Sequence, residues 1–293
     1  MAGRIPASGD TPASTMWAMD RVDIHGVRLE VAHIPGESAL APLVFLHEGL
    51  GSVAMWAPRG DSWPETLCRA TGRAGWLYSR RGYGQSDPVA DVRGEPRQDG
   101  FWHIGRHQPD YMHREAFEVL PLLLARLGLH KPVLVGHSDG ASIALLHASR
   151  HEVAGCVAMA PHAFVEDLSI DSIAQARGQY LNTLDDPKGL RQRLARYHRD
   201  VDNAFWQWND VWLSPAFRAF DILPDCARIQ APLMLVQGEQ DEYGTLAQLD
   251  LIQQRATQAQ RLTLPDCGHS PQRDQPQALT EALRAWCRHS VTA

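Results

Sequence analysis

The chain has 293 residues, 44% of them hydrophobic and 21% charged, which suits one large α/β domain or two small ones in a soluble globular protein. A formal net charge of −6 gives no basic field, which excludes nucleic acid and anionic membrane surfaces as partners. No apolar run approaches the roughly 20 residues that a membrane helix needs.

The stretch 1–19 carries an early Arg4 and no apolar core run, so it reads as a loose leader and not as a secretory signal. Five cysteines (68, 156, 226, 267 and 287) are odd in number, widely spaced and without a C-x-x-C pair. They read as reduced thiols of a cytoplasmic protein. Alternation over 20–34 predicts a hairpin turning at Gly26. Pro42–Leu46 is continuously apolar, hence a strand covered on both faces, and it runs into His47-Glu48-Gly49-Leu50-Gly51. Another strand at 76–79 opens into Arg80-Arg81-Gly82-Tyr83-Gly84-Gln85-Ser86. That G-x-G lacks the third glycine of a dinucleotide loop, so no cofactor is expected there. Residues 88–110 read as loop, and Phe117, Leu120, Leu124 and Leu127 as one helical stripe in which Pro121 bends the helix or marks its first turn.

Strand Val133–Val135 drives into Gly136-His137-Ser138-Asp139-Gly140, and a helical run with Ala141, Ala144 and Ala148 at helical spacing follows. This is G-x-S-x-G in a strand–turn–helix context. The turn is tight enough to demand small residues at −2 and +2, and it holds the serine hydroxyl above the sheet. Strand 156–160 comes next. The strand–helix rhythm then breaks over 162–225, which reads as helical pieces and an aromatic-rich stretch from Phe205 to Phe220. It resumes with strand 232–236 leading to Gly238-Glu239-Gln240-Asp241, a helix at 244–256, strand 261–264 leading to Gly268-His269-Ser270-Pro271, and a terminal helix at 276–289. Alternating buried strands and helices predict a doubly wound, mostly parallel α/β sheet. Its core spans 20–161 and 226–293, and 162–225 forms a helical cap over the carboxyl edge, where ligands bind in such sheets.

A serine hydroxyl needs a base to become a nucleophile. His269, just past the last strand, is the best placed of fourteen histidines, and Asp241 at the end of the preceding strand would orient it. Glu239 and Glu242 are the alternative acids. The oxyanion donors are the amide of Asp139 and one from the 47–51 loop, Gly49 first and Leu50 second. The Asp139 carboxyl suits the N-terminus of a helix whether or not it touches substrate. His103/His107 and His147/His151 have i, i+4 spacing but lack the glutamate of a zinc-hydrolase motif, so no metal site is expected.

On these motifs the chain resembles the α/β-hydrolases over about residues 20–290: His47-x-Gly49-x-Gly51, Arg81-Gly82-Tyr83-Gly84-x-Ser86, the elbow at 136–140, Gly238-x-x-Asp241 and Gly268-His269-x-Pro271. The resemblance implies an eight-stranded, mostly parallel sheet and an acyl-enzyme route through a serine triad. Two positions depart from the family pattern. The first loop reads His-Glu-Gly where many relatives have His-Gly-x, and the elbow carries Asp139 where relatives often have an apolar residue.

The leading expectation is a hydrolase acting on a small to medium ester, thioester or lactone with an apolar or aromatic part. A C–C bond hydrolase for diketone-type ring-fission products, and a small-molecule receptor that retains the triad, stand as alternatives. His47, Phe164, Trp206, Trp208 and Trp212 are the candidate substrate-binding residues, with Phe205 in the same aromatic run. A small molecule is the only partner expected, and the sequence gives no oligomeric state.

Overall fold

The computed structural model describes residues 17–291. Strands β1 (Ala18–Ile24), β2 (Val27–Ile34), β3 (Leu43–Leu46) and β4 (Gly75–Tyr78) come first, then a separate small hairpin of β5 (Arg97–Asp99) and β6 (Trp102–Ile104). Strands β7 (Val133–His137), β8 (Gly155–Met159), β9 (Leu233–Gly238) and β10 (Gln260–Leu264) complete one eight-stranded sheet in the order β1-β2-β4-β3-β7-β8-β9-β10. β1 and β2 run antiparallel to their neighbours and the rest are parallel. The β1–β2 hairpin turns at His25-Gly26, both with positive φ, as the alternation predicts. Residues 1–16 of the expected leader lie outside the described residues. The rest of that assignment is corrected, since β1 already begins at Ala18.

The helices are α1 (Trp63–Thr71), α2 (Tyr111–Arg114), α3 (Leu120–Arg126), α4 (Asp139–Ala148), α5 (Asp167–Asn182), α6 (Leu190–Leu194), α7 (Val201–Trp212), α8 (Leu223–Cys226), α9 (Ala247–Arg255), α10 (Pro271–Asp274) and α11 (Pro276–Ser290). A π-turn at Glu115–Val119 joins α2 to α3 without a break, and Pro121 stands in the first turn of α3, directly after that widened turn. The loop expected over 88–110 is corrected, because it contains β5 and β6. Among the described residues no helix is long and apolar enough to cross a membrane, and the five cysteines are buried and unpaired.

β3, β7, β8 and β9 are buried along their whole length, as two-sided coverage requires. Alternate side chains serve opposite layers. Leu46, Leu134 and Leu235 pack with α3 and α4, whereas Phe45, Val135 and Val236 pack with Leu67 of α1 and Leu283 of α11. Small residues let the wholly buried α4 lie against the sheet. β3 and β7 are neighbours from which the chain winds in opposite directions, so their carboxyl ends flank the crevice where this topology places a ligand. The helices α5 to α8 lie in the segment between β8 and β9, and α7 brings Trp208 against the loop that follows β3.

Candidate active site

The turn after β7 puts Ser138 at φ 54° and ψ −121°, a left-handed conformation that a residue with a Cβ adopts only under constraint. The two glycines around it are sterically required. A Cβ on Gly136 would lie 2.2 Å from the Gly140 carbonyl oxygen, and one on Gly140 would lie 2.2 Å from the Leu46 carbonyl oxygen. The Ser138 amide donates to the Met159 carbonyl at 2.9 Å, which ties the elbow to β8.

The loops after β9 and β10 meet at this serine. His269 Nε2 is 2.9 Å from Ser138 Oγ and accepts its hydrogen, while His269 Nδ1 donates to Asp241 Oδ1 at 2.8 Å. Asp241 Oδ1 also accepts the Tyr243 amide at 2.8 Å, and Oδ2 accepts Gln237 Nε2 at 3.1 Å. Burial opposes charge on His269, but the hydrogen bond and charge of Asp241, helped by Glu48 and Glu242, win and raise its pKa above 6.5. Burial also works against the Asp241 carboxylate, yet His269 and the Tyr243 amide hold it at about 2. A carboxylate, an imidazole ready to take a proton and a serine hydroxyl thus form one line. Glu242 accepts the His269 amide at 3.1 Å and makes no hydrogen bond to its ring, so Asp241 and not Glu242 occupies the acid position.

The loop 47–51 is braced through its carbonyls. Buried Arg80 donates to the His47 carbonyl at 2.6 Å and to the Glu48 carbonyl at 2.9 Å, and His198 Nε2 donates to the Leu50 carbonyl at 2.9 Å. No hydrogen bond among the described residues takes up the amides of Gly49 or Leu50. Gly49 has to be glycine, because a Cβ there would lie 2.2 Å from Trp208 Nε1 of α7. The indole of α7 therefore covers the loop, and Ser138 and His269 are each 6% exposed.

The expected substrate residues separate into two groups. His47 is corrected: its Nδ1 donates to the Glu48 carbonyl at 2.7 Å and its Nε2 accepts the Arg80 amide at 3.0 Å, so no ring nitrogen is left for a ligand. Trp206 is corrected too. Its ring is faced by Arg93, 3.8 Å from guanidinium carbon to centroid, and by Arg177, and it packs on Tyr180. Phe164 is half-buried, its main chain tied to Gln248. Trp208 lies against Gly49 and Trp212 against His162 and Tyr111, while Phe205 is core, stacked on Tyr180.

His137 and Tyr111, to which sequence reasoning gave no role, join Asp139 around the site. His137 Nε2 donates to the His269 carbonyl at 2.7 Å and fixes the base loop, with Gln272 on its other nitrogen. Asp139 is buried, and its Oδ2 accepts the Tyr111 hydroxyl at 2.5 Å while Oδ1 has no partner among the described residues. Burial raises its pKa, against the opposing pull of the Arg80 charge and of the Tyr111 and Trp212 donors. Tyr111 also walls a cavity of about 80 Å³ bounded by Tyr83, Trp102, Ile104 and Gln207. None of Ser138, Asp241 and His269 lines it. Among the described residues no cluster of histidine, cysteine and carboxylates could hold a metal ion. His147 instead bonds the Ala116 carbonyl and stacks on His151, and His107 bonds Gln207.

The family model of the alpha/beta hydrolases matches residues 43–282, which takes in all the loops just described. The chain belongs to the alpha/beta hydrolase family. Membership makes it an enzyme of the hydrolase class. The sn-1-specific diacylglycerol lipase of the mouse, Mus musculus, is 23% identical over 298 residues, covering 94% of this chain and 90% of the lipase. An esterase of Mycobacterium tuberculosis is 33% identical over 104 residues, about a third (34%) of each chain. Among solved structures, the enol-lactonase of Burkholderia xenovorans superposes with a TM-score of 0.67 at 19% identity, covering 92% of this hydrolase and 100% of the lactonase, a likeness of fold.

Proposed function

We propose that this hydrolase cleaves a small to medium ester, thioester or lactone bearing an apolar or aromatic part, through an acyl-enzyme on Ser138. The observation that carries the reading is the unbroken line Asp241–His269–Ser138, with bonds of 2.8 and 2.9 Å, ending on a serine at the strained elbow. His269 Nε2 takes the Ser138 proton as Oγ attacks the acyl carbonyl, and Asp241 steadies the imidazolium that forms. The amides of Asp139, at the N-terminus of α4, and Gly49 hold the tetrahedral oxyanion, each worth about 3 kcal/mol in the transition state. His269 then gives its proton to the leaving oxygen or sulfur. A water, deprotonated by the same imidazole, releases the acid and restores Ser138. The segment 162–225 acts as the cap, with Trp208 and Trp212 on the substrate side. The names of the relatives, a lipase acting on diacylglycerol, an esterase and an enol-lactonase, favour acyl–oxygen cleavage over carbon–carbon cleavage.

Labelling with a fluorophosphonate, read by mass, tests the proposal. Modification of Ser138 in the native protein, absent in Ser138→Ala and strongly slowed in His269→Ala, is expected. A native, folded protein that leaves Ser138 unmodified would overturn it. A panel of p-nitrophenyl esters, acyl-thioesters and lactones on the same sample then fixes the leaving group.

A further inference from the structure

A ring of contacts encloses both flanks of the triad and closes through a single residue of α7. Trp212 Nε1 donates to Tyr111 Oη at 3.0 Å, and Tyr111 Oη donates in turn to Asp139 Oδ2 at 2.5 Å. Asp139 is the residue after Ser138 and carries one of the proposed oxyanion amides. On the other flank the Trp212 ring stands edge-on to His162, 4.9 Å between centroids, and the His162 ring lies 5.7 Å from that of His269. His162 is itself pinned to α4, since Ser142 Oγ accepts its amide at 3.0 Å and donates to its carbonyl at 2.8 Å. Trp212 is 1% exposed and Tyr111 9%.

We propose that Trp212, acting together with Tyr111, is the positioning residue by which the cap aligns the elbow, so that seating α7 and assembling the catalytic centre are one event. The inference rests on the serine-hydrolase reading above. It follows from how few bonds fix Asp139. The Tyr111 hydroxyl has one hydrogen, and it goes to Asp139; its lone pair receives the Trp212 N–H. Asp139 Oδ1 has no partner among the described residues; the Tyr111 hydroxyl makes the short bond to Oδ2, and the Trp212 N–H lies near enough to favour the carboxylate as well, so these two donors orient that carboxyl. A residue held at positive φ persists only where its surroundings over-determine it, and Ser138 is such a residue. Trp208, one turn before Trp212 on α7, covers Gly49. Movement of α7 therefore uncovers Gly49 and at the same time takes the indole N–H away from Tyr111.

The test uses the full chain and p-nitrophenyl acetate. Trp212→Phe keeps an aromatic ring and loses the N–H; Tyr111→Phe loses the hydroxyl. Each is expected to lower kcat about 10- to 100-fold, the range of a small misplacement of reacting groups, with KM within about threefold. The double variant should be no slower than the slower single, as members of one coupled unit behave. Val211→Ala, on the same helix and buried, should lower thermal stability yet keep kcat within about twofold. Independent, multiplying effects of the two variants, a raised KM at unchanged kcat, or an equal kcat loss in Val211→Ala would overturn the coupling. Labelled Ser138 with unaffected variants sinks the coupling alone, whereas unlabelled native Ser138 sinks the hydrolase reading and the coupling with it.

Discussion

Replacing Asp241 by Asn tests the electrostatic logic of the site with little change of shape. Asp241 Oδ1 receives His269 Nδ1 at 2.8 Å, the Tyr243 amide at 2.8 Å and the Gly244 amide at 3.3 Å, and an Asn carbonyl placed there keeps all three donors. The new amide nitrogen then faces Gln237 Nε2, which now donates to Oδ2 at 3.1 Å. Flipping the Gln237 amide relieves that clash but turns its oxygen on the Gly244 carbonyl, which Nε2 presently bonds at 2.8 Å. The local structure is thus frustrated but not destroyed. The larger loss is charge. An imidazolium and a carboxylate about 4 Å apart attract by about 4 kcal/mol at an effective dielectric near 20, and at about 1.4 kcal/mol per decade that is roughly three powers of ten in rate. The expected outcome is a kcat about 1,000-fold below the native value. The acid limb of kcat/KM should move to lower pH, because burial still disfavours the His269 cation and its main opposing partner is gone. A pH–rate profile of p-nitrophenyl ester hydrolysis with Asp241→Asn measures both. Activity within tenfold of native with an unmoved acid limb would refute the assignment and send the search to Glu242.

In the native enzyme, His269 works as a base only when neutral and its pKa is raised, so kcat/KM should fall with decreasing pH about a midpoint above 6.5. The same raised pKa adds stability below pH 6.5 that is lost as pH rises through it, whereas Asp241, depressed from 3.8 to about 2, adds stability that is lost as pH falls through that window; urea titrations across pH check both signs. Gly49→Ala drives a methyl to 2.2 Å from Trp208 Nε1, so either the loop or α7 must move; kcat/KM should fall about 100-fold, and Trp208→Ala in that background should recover part of it. Ser86→Ala strips the buried Glu30 amide of its acceptor, now at 2.8 Å, and should cost about 1–3 kcal/mol in urea unfolding with little change in kcat.

The positions of Ser138, Asp241 and His269 are legible in sequence because their geometry is local: each follows a buried strand, and the Gly136/Gly140 pair is demanded by contacts within a few residues and with β3. The eight-stranded sheet is legible for the same reason, its middle strands being continuous apolar runs. The β5–β6 hairpin is not, since Arg97, Gln98 and Asp99 are all exposed and carry no alternation. His47 reads as a substrate contact because it ends the strand next to the one that leads into Ser138, but the group that occupies it, Arg80, stands 33 residues away in the chain. The tryptophans of α7 did hold a signal. Trp208 and Trp212 are four apart and share a helix face, whereas Trp206, two residues from Trp208, is turned about 200° away, and that is where Arg93 and Arg177 take it. Asp139 marks the boundary of what local pattern can tell. A helix start explains an acidic residue at that position equally well whether its carboxyl meets solvent or a tyrosine. Only the packing of α2 and α7 over the elbow, brought together across 28 and 101 residues of chain, turns it into a buried link between α7 and the turn that carries Ser138.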